Sequence, residues 1–273
     1  MLQQLVFLHG QKPGTRALIV GAEHVSFSAI LTLAHAGTEV VGMVTELPRH
    51  QSLAVFRLGT RFRYRTPLWT RTVVAAIHGS PHVEEVELAD VVTGRTRRVS
   101  CDTVVFTADW IPDHELAVTA GLDLDPGTLG PAVDTCLRTS RVGVFAAGNV
   151  LHAAETADVA ALSGRHVAVS AARFLADGVW PSPRVPIVCE PPLGWIVPNV
   201  LSPEPARPPR HRFLLRSRSF LDGPEIQIVQ DARSLWTGRL RRSIPGRSAR
   251  LPDSWTRSFD PGGEAIRVGV VRA

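Results

Sequence analysis

The stretch RALIVGAEHVSFSAILTLAHAGTEVVGMV, residues 16–44, decides the fold. It opens with a short apolar run that ends at a glycine, which predicts a buried strand over 16–20. Apolar residues at helical spacing then predict a helix over 23–35, which Gly37 would end. A second apolar run predicts a strand over 39–44. Strand, helix and strand in so short a stretch indicate a βαβ unit with a parallel sheet.

The segments beyond this unit change character twice. Between residues 71 and 106, short β-like segments separated by turn signals predict an antiparallel meander that leads into a final apolar strand. Residues 142–146 predict another buried strand, and 155–175 predict a long helix that Gly178 would end. Proline clusters over 181–210 predict a stiff linker, and polar–apolar alternation after it predicts a small β-rich domain.

The composition excludes several classes of protein. The chain has 273 residues, of which 44% are hydrophobic and 20% charged, and these values are typical of a folded protein rather than a disordered one. No uninterrupted apolar stretch is long enough to span a bilayer. Residues 1–10 lack the basic head and the small-residue cleavage site of a signal peptide. We therefore expect a cytoplasmic protein without a membrane partner.

The cysteines and histidines do not form a motif of their own. Cys101, Cys136 and Cys189 are far apart and make no CxxC pair and no zinc spacing. They support neither a disulfide framework nor a dithiol redox centre. The single, scattered histidines predict no metal site, and no residue is assigned as a catalytic base.

Basic charge is concentrated near the end of the chain. Residues 202–273 contain 14 Arg against 7 Asp plus Glu. Such a region can bind nucleic acid, but its arginines alternate with apolar residues, as in 212–216, and no series of aromatic residues accompanies them. This pattern is typical of the solvated face of β-strands, and it favours that interpretation over nucleic-acid binding.

The turn between the first strand and the first helix is where a dinucleotide fold holds phosphate. Gly21 supplies the tight turn, and Ser26 supplies a small residue at the sixth position. Glu23, however, stands where glycine would let the backbone approach a pyrophosphate, and it adds a negative charge. Glu46, after the second strand, lies near the position of an acid that binds a ribose hydroxyl. The unit therefore either binds NAD(P) or keeps the βαβ shape without nucleotide binding.

Five short segments follow one another along the chain, and their order and spacing are informative. They are TADWIP at 107–112, GLDLD at 121–125, AVD at 132–134, LRTS at 137–140 and VGVFAAGN at 142–149. Together they resemble the FAD-dependent pyridine nucleotide-disulfide oxidoreductase superfamily. The first resembles the link from its NAD domain back to its FAD domain, and the others resemble its second FAD-contacting stretch. The relatives most similar in kind are dithiol-lacking flavoproteins of the opine-oxidase, proline-dehydrogenase and hydrogen-cyanide-synthase type.

This resemblance implies FAD as a cofactor, with Gly148 and Asn149 in contact with it. The helix that follows would point its N-terminus at the flavin ring and stabilise negative charge there. Thr156 is either a flavin contact or a helix cap, and His152 is either a proton-transfer group or a loop histidine. Asn149 stands where the family has an aspartate, and Asp109 stands where members often have glycine.

The resemblance also implies the architecture. We expect an α/β protein with an incomplete Rossmann-like FAD/NAD(P)-binding three-layer ββα sandwich, followed by the small β-rich domain. The family's first FAD unit would precede residue 1, so we expect the chain to be a fragment, the product of a wrongly assigned start, or a subunit whose partner supplies that unit. The expected divisions are a connector, an NAD(P)-binding-like domain with the meander, the second part of the FAD-binding domain, the Pro-rich linker and a basic β-rich domain. Their bounds are 1–15, 16–108, 109–180, 181–210 and 211–273.

The function that the resemblance implies is flavin-dependent redox chemistry. A hydride or electron pair would move between FAD and either NAD(P)H or an amine or imino-acid substrate. Gly21, Ser26 and Glu46 would line the NAD(P) site, while Arg49 and His50 could favour a 2′-phosphate and so leave NAD versus NADP open. The alternative is a catalytically silent remnant that acts as a protein-interaction module.

Overall fold

The computed structural model describes residues 1–107, 110–203 and 205–272. The chain forms two compact units that divide between residues 109 and 110. Asp109 itself, at which the sequence departs from the family pattern, lies outside the described residues. Within the described part of the chain, no helix combines the length and the apolarity needed to cross a bilayer.

The first unit begins with a π-helical turn, Gln4–Leu8, and continues into the predicted βαβ unit. The structure confirms the predicted strand, helix and strand within one residue at each end. The helices and strands of this unit are β1 (Arg16–Val20), α1 (His24–His35), β2 (Glu39–Val44), α2 (Ala54–Gly59), β3 (Leu68–Trp69), β4 (Thr72–His78), β5 (Glu85–Asp90), β6 (Thr96–Ser100) and β7 (Thr103–Phe106), with a second π-helical turn at Thr60–Tyr64.

Three layers make up the first unit. The strands β3, β2, β1 and β7 form a parallel sheet in that order, and β4, β5 and β6 form the predicted antiparallel meander. In the central strand, Ala17 and Ile19 pack with Phe27 of α1, whereas Leu18 packs with Leu88 of the meander. Both faces of the sheet are therefore covered, which explains why its strands are continuously apolar.

The second unit contains one long helix and many strands. Its elements are α3 (Glu115–Thr119), α4 (Ala157–Asp177), β8 (Val185–Cys189), β9 (Leu193–Val197), β10 (Val200–Leu201), β11 (Arg212–Ser217), β12 (Leu221–Asp222), β13 (Glu225–Gln230), β14 (Arg233–Arg239), β15 (Arg242–Ser243), β16 (Ala249–Pro252) and β17 (Ile266–Arg272). The helix α4 ends at Gly178, as predicted. Gly178 has φ +67°, and its N–H donates to the Phe174 carbonyl at 2.8 Å.

The predicted β-rich domain is present, but it begins earlier in the chain than the sequence suggests. Its sheets have the strand orders β10-β8-β17-β13-β14, β16-β11-β9 and β12-β15. The range 181–210, for which the sequence predicts a stiff linker, contains β8, β9 and β10. Val185 and Ile187 of β8 are buried in the core, whereas Pro186 between them is exposed. Because the prolines flank these strands or lie on their exposed face, they do not prevent pairing.

The strand predicted over 142–146 is wrong. This segment makes only an isolated bridge between Arg138 and Phe145, and Val142 is 63% exposed. Backbone hydrogen bonds link it to the residues before it, including those from the Thr139 N–H to the Val144 carbonyl at 3.0 Å and from the Ala146 N–H to the Leu137 carbonyl at 3.1 Å, but they do not extend into a strand. Its apolar character is used instead by Phe145, whose ring contacts Phe174 and Trp180 at centroid distances of 6.2 and 5.2 Å.

Candidate functional site

The turn between β1 and α1 lies at the carboxyl end of the parallel sheet. Its strand, β1, has β2 on one side and β7 on the other. Gly21 has φ +128°, a conformation that favours glycine, and its N–H donates to the Val44 carbonyl at 2.8 Å. Ligands of open α/β folds bind at this edge of the sheet. The predicted Gly21 turn is therefore in the right place for a nucleotide.

The space at this turn is filled by Glu23. This residue is the N-cap of α1 and is only 8% exposed. Its carboxylate turns back towards the Ser26 N–H, and the Ser26 hydroxyl accepts from the Glu23 N–H, in a capping-box arrangement. A Cβ atom on Gly21 would lie 2.9 and 3.0 Å from the two carboxylate oxygens and would collide with Oγ1 of Thr107. The residues present therefore do not fit a dinucleotide pyrophosphate.

The other two predicted contacts of this site differ in accessibility. Ser26 is fully buried, and its Oγ accepts from the Glu23 N–H at 3.1 Å and lies 2.7 Å from Oγ1 of Thr107. Glu46, beyond the end of β2, is exposed. Ser26 thus holds the turn together, whereas Glu46 is open to solvent. As nucleotide contacts, both stay predictions.

His50 supplies no positive charge for a 2′-phosphate. Burial, and then the nearby Arg57, lower the pKa of His50 below its ordinary value. Its ring packs against Phe27 at a centroid distance of 6.1 Å, and its Nδ1 is buried without a hydrogen-bond partner. The imidazole is therefore neutral at physiological pH.

A second glycine turn precedes α4. Gly148 has φ +77°, and its N–H donates to Oγ of Ser163 at 2.8 Å, which fastens the loop to the helix. A Cβ atom on Gly148 would meet only the Cβ of Ala160, at 3.8 Å. Beside this glycine, unlike beside Gly21, space remains for a ligand.

Asn149 and Thr156 fix the loop that leads into α4. Oδ1 of Asn149 accepts from the Glu155 N–H at 3.0 Å, and its Nδ2 donates to the Glu155 carbonyl at 3.2 Å. Thr156 is the N-cap of α4, and its hydroxyl donates to the Asp158 carboxylate. Thr156 therefore has the capping position that the sequence left open, and Asn149 closes the loop with its whole amide group.

A small pocket, partly open to solvent, lies at the start of α4, and its cavity volume is about 50 Å³. Part of its wall comes from the loop and the helix, and part from the β-rich domain. The wall includes apolar side chains and a buried imidazole. Its residues include Leu137, Gly148, His152, Val159, Val197 and Leu214.

An aromatic and cationic stack supports this pocket. His152 is 4% exposed, and its ring lies 4.7 Å from the ring of Trp195. The Arg216 guanidinium lies 4.8 Å from the same Trp195 ring, and its Nη1 donates to the Ala153 carbonyl at 2.6 Å. Burial, and then the charge of Arg216, lower the pKa of His152 to about 3. The imidazole is therefore neutral, and its Nδ1 is buried without a partner.

Arg216 also corrects the expectation of a solvated arginine face. Its side chain is 15% exposed, and its Nη2 lies 3.5 Å from Oε1 of Glu155. The same carboxylate oxygen accepts a hydrogen bond from the Ser248 hydroxyl. Arg212, on the same strand, is exposed as expected. No local sequence signal distinguishes the two arginines, because the partners of Arg216 lie far away along the chain, 63 residues for Ala153 and 32 residues for Ser248.

Asp134 connects the FAD-like stretch to the β-rich domain. Its side chain is almost fully buried, and its Oδ1 accepts from the backbone N–H groups of Cys136 and Arg138 at 2.9 and 3.0 Å. Its Oδ2 accepts from Nε of Arg138 and from the Ser202 hydroxyl, both at 2.8 Å. These four bonds hold the turn at Leu137, which has φ +61°. Asp134 is therefore a structural residue of the site.

The three cysteines are free thiols. Burial is the first cause that raises the pKa of Cys101, of Cys136 and of Cys189, and for Cys189 it reaches about 12. Each is therefore protonated at physiological pH and is a poor nucleophile in that state.

This fold and these two turns define an α/β protein of the Rossmann-like, FAD/NAD(P)-binding class. A family model described as "Pyridine nucleotide-disulphide oxidoreductase" matches residues 8–164, more than half of the chain. The chain therefore belongs to the pyridine nucleotide-disulphide oxidoreductase family. Members of this family that are similar to thioredoxin reductase use FAD and NADPH, in agreement with the cofactors expected for the family form.

Two curated relatives are thioredoxin reductases. That of Treponema pallidum (strain Nichols) is 39% identical over 79 residues, which cover 29% of this chain and 25% of the relative. That of Streptomyces clavuligerus is 36% identical over 104 residues, which cover 38% of this chain and 32% of the relative. The matched part of this chain thus spans a third of these relatives or less.

Two solved structures share the fold. Thioredoxin reductase from T. acidophilum matches with a TM-score of 0.52 at 22% identity. The match covers 62% of this chain and 55% of the chain of that structure. That from Lactococcus lactis, in the FR conformation, has a TM-score of 0.53 at 17% identity and covers 60% and 54%. The likeness confirms the predicted fold class, and this chain spans about half the length of these structures.

Proposed function

We propose that this chain is part of a FAD-dependent oxidoreductase, in which the Gly148 turn and the small open pocket at the start of α4 form one side of the flavin site. An amine or imino-acid substrate would give a hydride or electron pair to the flavin, and NAD(P)H is the other donor that the sequence left open. The observation that carries the proposal is the open space beside Gly148 at the N-terminus of the 21-residue helix α4. When bound, FAD supplies the redox chemistry itself.

Several residues of the chain would hold the flavin in this pocket. Gly148 leaves room for a close approach of the ligand, and the apolar wall near Val159 and Val197 excludes water. The N-terminus of α4, where Thr156 makes no side-chain capping bond, would stabilise negative charge that develops on the ligand. Asn149 would act by holding the loop closed, because both ends of its amide are already bonded to Glu155.

His152 would act as a neutral hydrogen-bonding group in the wall of the pocket. A group with a pKa of about 3 stays unprotonated near pH 7. It is therefore poorly matched to storing a proton, a role for which a pKa near the working pH is best. Its buried Nδ1 has no partner within the protein, and it is available to a polar atom of a bound ligand.

The dithiol-lacking branch of the family is the one that we propose. The three thiols are separate and protonated, as their raised pKa values indicate. This state supports a reaction in which electrons reach the flavin from a small substrate without passing through cysteines of this chain. Free thiols also support the cytoplasm as the location, because disulfides are rare there.

A partner subunit that supplies a second nucleotide-binding unit is also part of the proposal. None of the 21 residues of α4 is fully buried, although the helix is rich in apolar residues. Val169 is 56% exposed and Leu175 is 85% exposed. A strand, Gly-rich turn and helix from the partner would cover this face and provide the rest of the FAD site.

The visible absorption spectrum tests the proposed function. The purified chain is mixed with FAD, desalted and examined for bound flavin, and amines of the proline type are then added without oxygen. We expect flavin to be retained and bleached by at least one amine. Gly148→Val should lose FAD, whereas Gly164→Ala, a helical position of α4 with open space around it, should retain it. Retention that is equal in both variants would contradict the proposed site.

The alternative is an interaction module without catalysis. The observation that favours it is Asn149, whose amide nitrogen and oxygen both bond to Glu155, together with the exposed apolar face of α4. A protein that takes up no FAD, alone or with its partner subunit, would support this alternative over the oxidoreductase.

A further inference from the structure

The turn after β1 holds a carboxylate where a dinucleotide fold holds a pyrophosphate. Glu23 is more than nine-tenths buried, and its carboxylate faces the Ser26 N–H in the capping box at the start of α1. Burial of a carboxylate is costly unless its charge is compensated, and this calls for an explanation. The explanation here is the electrostatic environment at the N-terminus of α1, a 12-residue helix whose first amides carry a partial positive charge.

The position of the carboxylate is set by its neighbours. The Glu23 N–H is bonded to Oγ of Ser26, and the carboxylate lies within about 3 Å of the place where a Cβ of Gly21 would stand. Thr107 borders the same space, with its Oγ1 bonded to the Val20 carbonyl at 3.1 Å. In a dinucleotide fold, a glycine at this position leaves room for phosphate. Here the same room is taken by the side chains of Glu23 and Thr107.

Charge and volume both oppose a pyrophosphate in this turn. The carboxylate already neutralises the positive end of α1, so a second anion would gain little from the helix. It would also stand next to a like charge in a site with little water, where repulsion is far stronger than in bulk solvent. A phosphate therefore enters only if the Glu23 side chain leaves.

We propose that Glu23 is an internal anion that closes the phosphate turn of the first unit to NAD(P)H, and that removal of its side chain reopens this turn. The first unit then acts as a structural element in the native chain. A consequence that rests on the proposed function is that the flavin receives electrons from its substrate rather than from NAD(P)H.

Titration of the flavin-free chain with NADPH, followed by calorimetry, tests this proposal. We expect no saturable binding to the native chain up to about 1 mM, the upper end of ordinary substrate affinities. Glu23→Gly should bind at least about tenfold more tightly, since it removes both the charge and the volume. Glu23→Gln, which keeps the volume, should gain less. Glu39→Gln, an exposed carboxylate at the start of β2, should behave as the native chain.

Either of two results would overturn the proposal. Saturable binding of NADPH to the native chain, within threefold of Glu23→Gly, would show that the turn is open. Equal absence of binding in the native chain, Glu23→Gly and Glu23→Gln would show that Glu23 is not what closes it. Circular dichroism establishes that the variants are folded. Because no flavin is present, failure of the proposed flavin site leaves this test unaffected.

Discussion

Two glycine turns of this chain, each followed by a helix, differ in what occupies the space beside them. Gly21 before α1 has φ +128°, and a side chain there would collide with Thr107 and approach the Glu23 carboxylate. Gly148 before α4 has φ +77°, and a side chain there would touch only Ala160, at 3.8 Å. A glycine turn at a helix N-terminus is therefore not sufficient for a ligand site, because the chain's own side chains can fill it.

The helix caps repeat this contrast. The N-cap of α1 is Glu23, which points a buried carboxylate at the first turn of its helix. The N-cap of α4 is Thr156, whose neutral hydroxyl donates to the Asp158 carboxylate. That hydrogen bond lowers the pKa of Asp158, which is solvent-exposed. The two helices thus place their acidic groups differently, one within the turn and one at the surface.

The largest effect is expected at the support of the second turn. Asp134→Ala should lower the free energy of unfolding by about 3–5 kcal/mol, because it leaves Arg138 and Ser202 without their buried partner. Asp123→Ala, an exposed position in the same unit, should cost about 0.5 kcal/mol or less. Urea denaturation measures both. Equal effects would show that the Asp134 network does not hold the site.

A direct comparison of the two glycines should give the next largest effect. Gly148→Ala should lower the free energy of unfolding by about 1–2 kcal/mol, because alanine is strained in the left-handed backbone conformation of this position. Gly21→Ala adds the collision with Thr107 and should cost about 2–4 kcal/mol in total. The measurement is urea denaturation, with separate fits where the two units unfold apart. A smaller loss for Gly21→Ala than for Gly148→Ala would contradict the view that the first turn is filled.

The pH dependence of stability tests the burial of His152. Its pKa falls from an ordinary 6.5 to about 3 in the folded chain. As the pH falls below 6.5, the unfolded state therefore binds a proton first and stability decreases, until the folded pKa is reached. Between pH 7.5 and pH 5 this group should remove about 2 kcal/mol of stability. His152→Phe should lack that loss, and an unchanged pH profile in the variant would show that the imidazole is accessible to protons.

The smallest effect is expected for the charge of Glu23. A buried carboxylate is unfavourable, but the N-terminus of α1 offsets part of this cost. Glu23→Gln should therefore leave stability unchanged or raise it by about 1 kcal/mol. A thermal melt at pH 7.5 provides the comparison with the native chain. A clear loss of stability would mean that the carboxylate has a stabilising partner.

The sequence predicted the helices and strands correctly where local signals suffice. The strand, helix and strand over 16–44 follow from continuous apolar runs and from Gly37, and α4 follows from helical spacing with Gly178 as its end. The segment 142–146 failed because an apolar run does not reveal whether a strand lies beside it. The range 181–210 misled because prolines hide the alternation of buried residues such as Val185 and Ile187.

The candidate site was less predictable than the fold. Glu23 departs visibly from the glycine pattern, but only the structure shows its carboxylate folded into the turn. The stack of His152, Trp195 and Arg216 joins a loop to two strands that lie far along the chain. Contacts of this kind depend on tertiary packing, which leaves no local pattern in a single sequence.

A fluorescence titration of FAD with the native chain, Gly148→Val and Glu23→Gly tests most directly whether the flavin binds at the Gly148 turn rather than at the Gly21 turn. We expect saturable quenching of FAD fluorescence by the native chain and the same affinity for FAD in Glu23→Gly. In Gly148→Val the affinity for FAD should be at least about tenfold weaker. Affinity that rises in Glu23→Gly and is unaffected in Gly148→Val would contradict binding at the Gly148 turn. The flavin would then bind at the first turn, and the contrast between the two turns would be reversed.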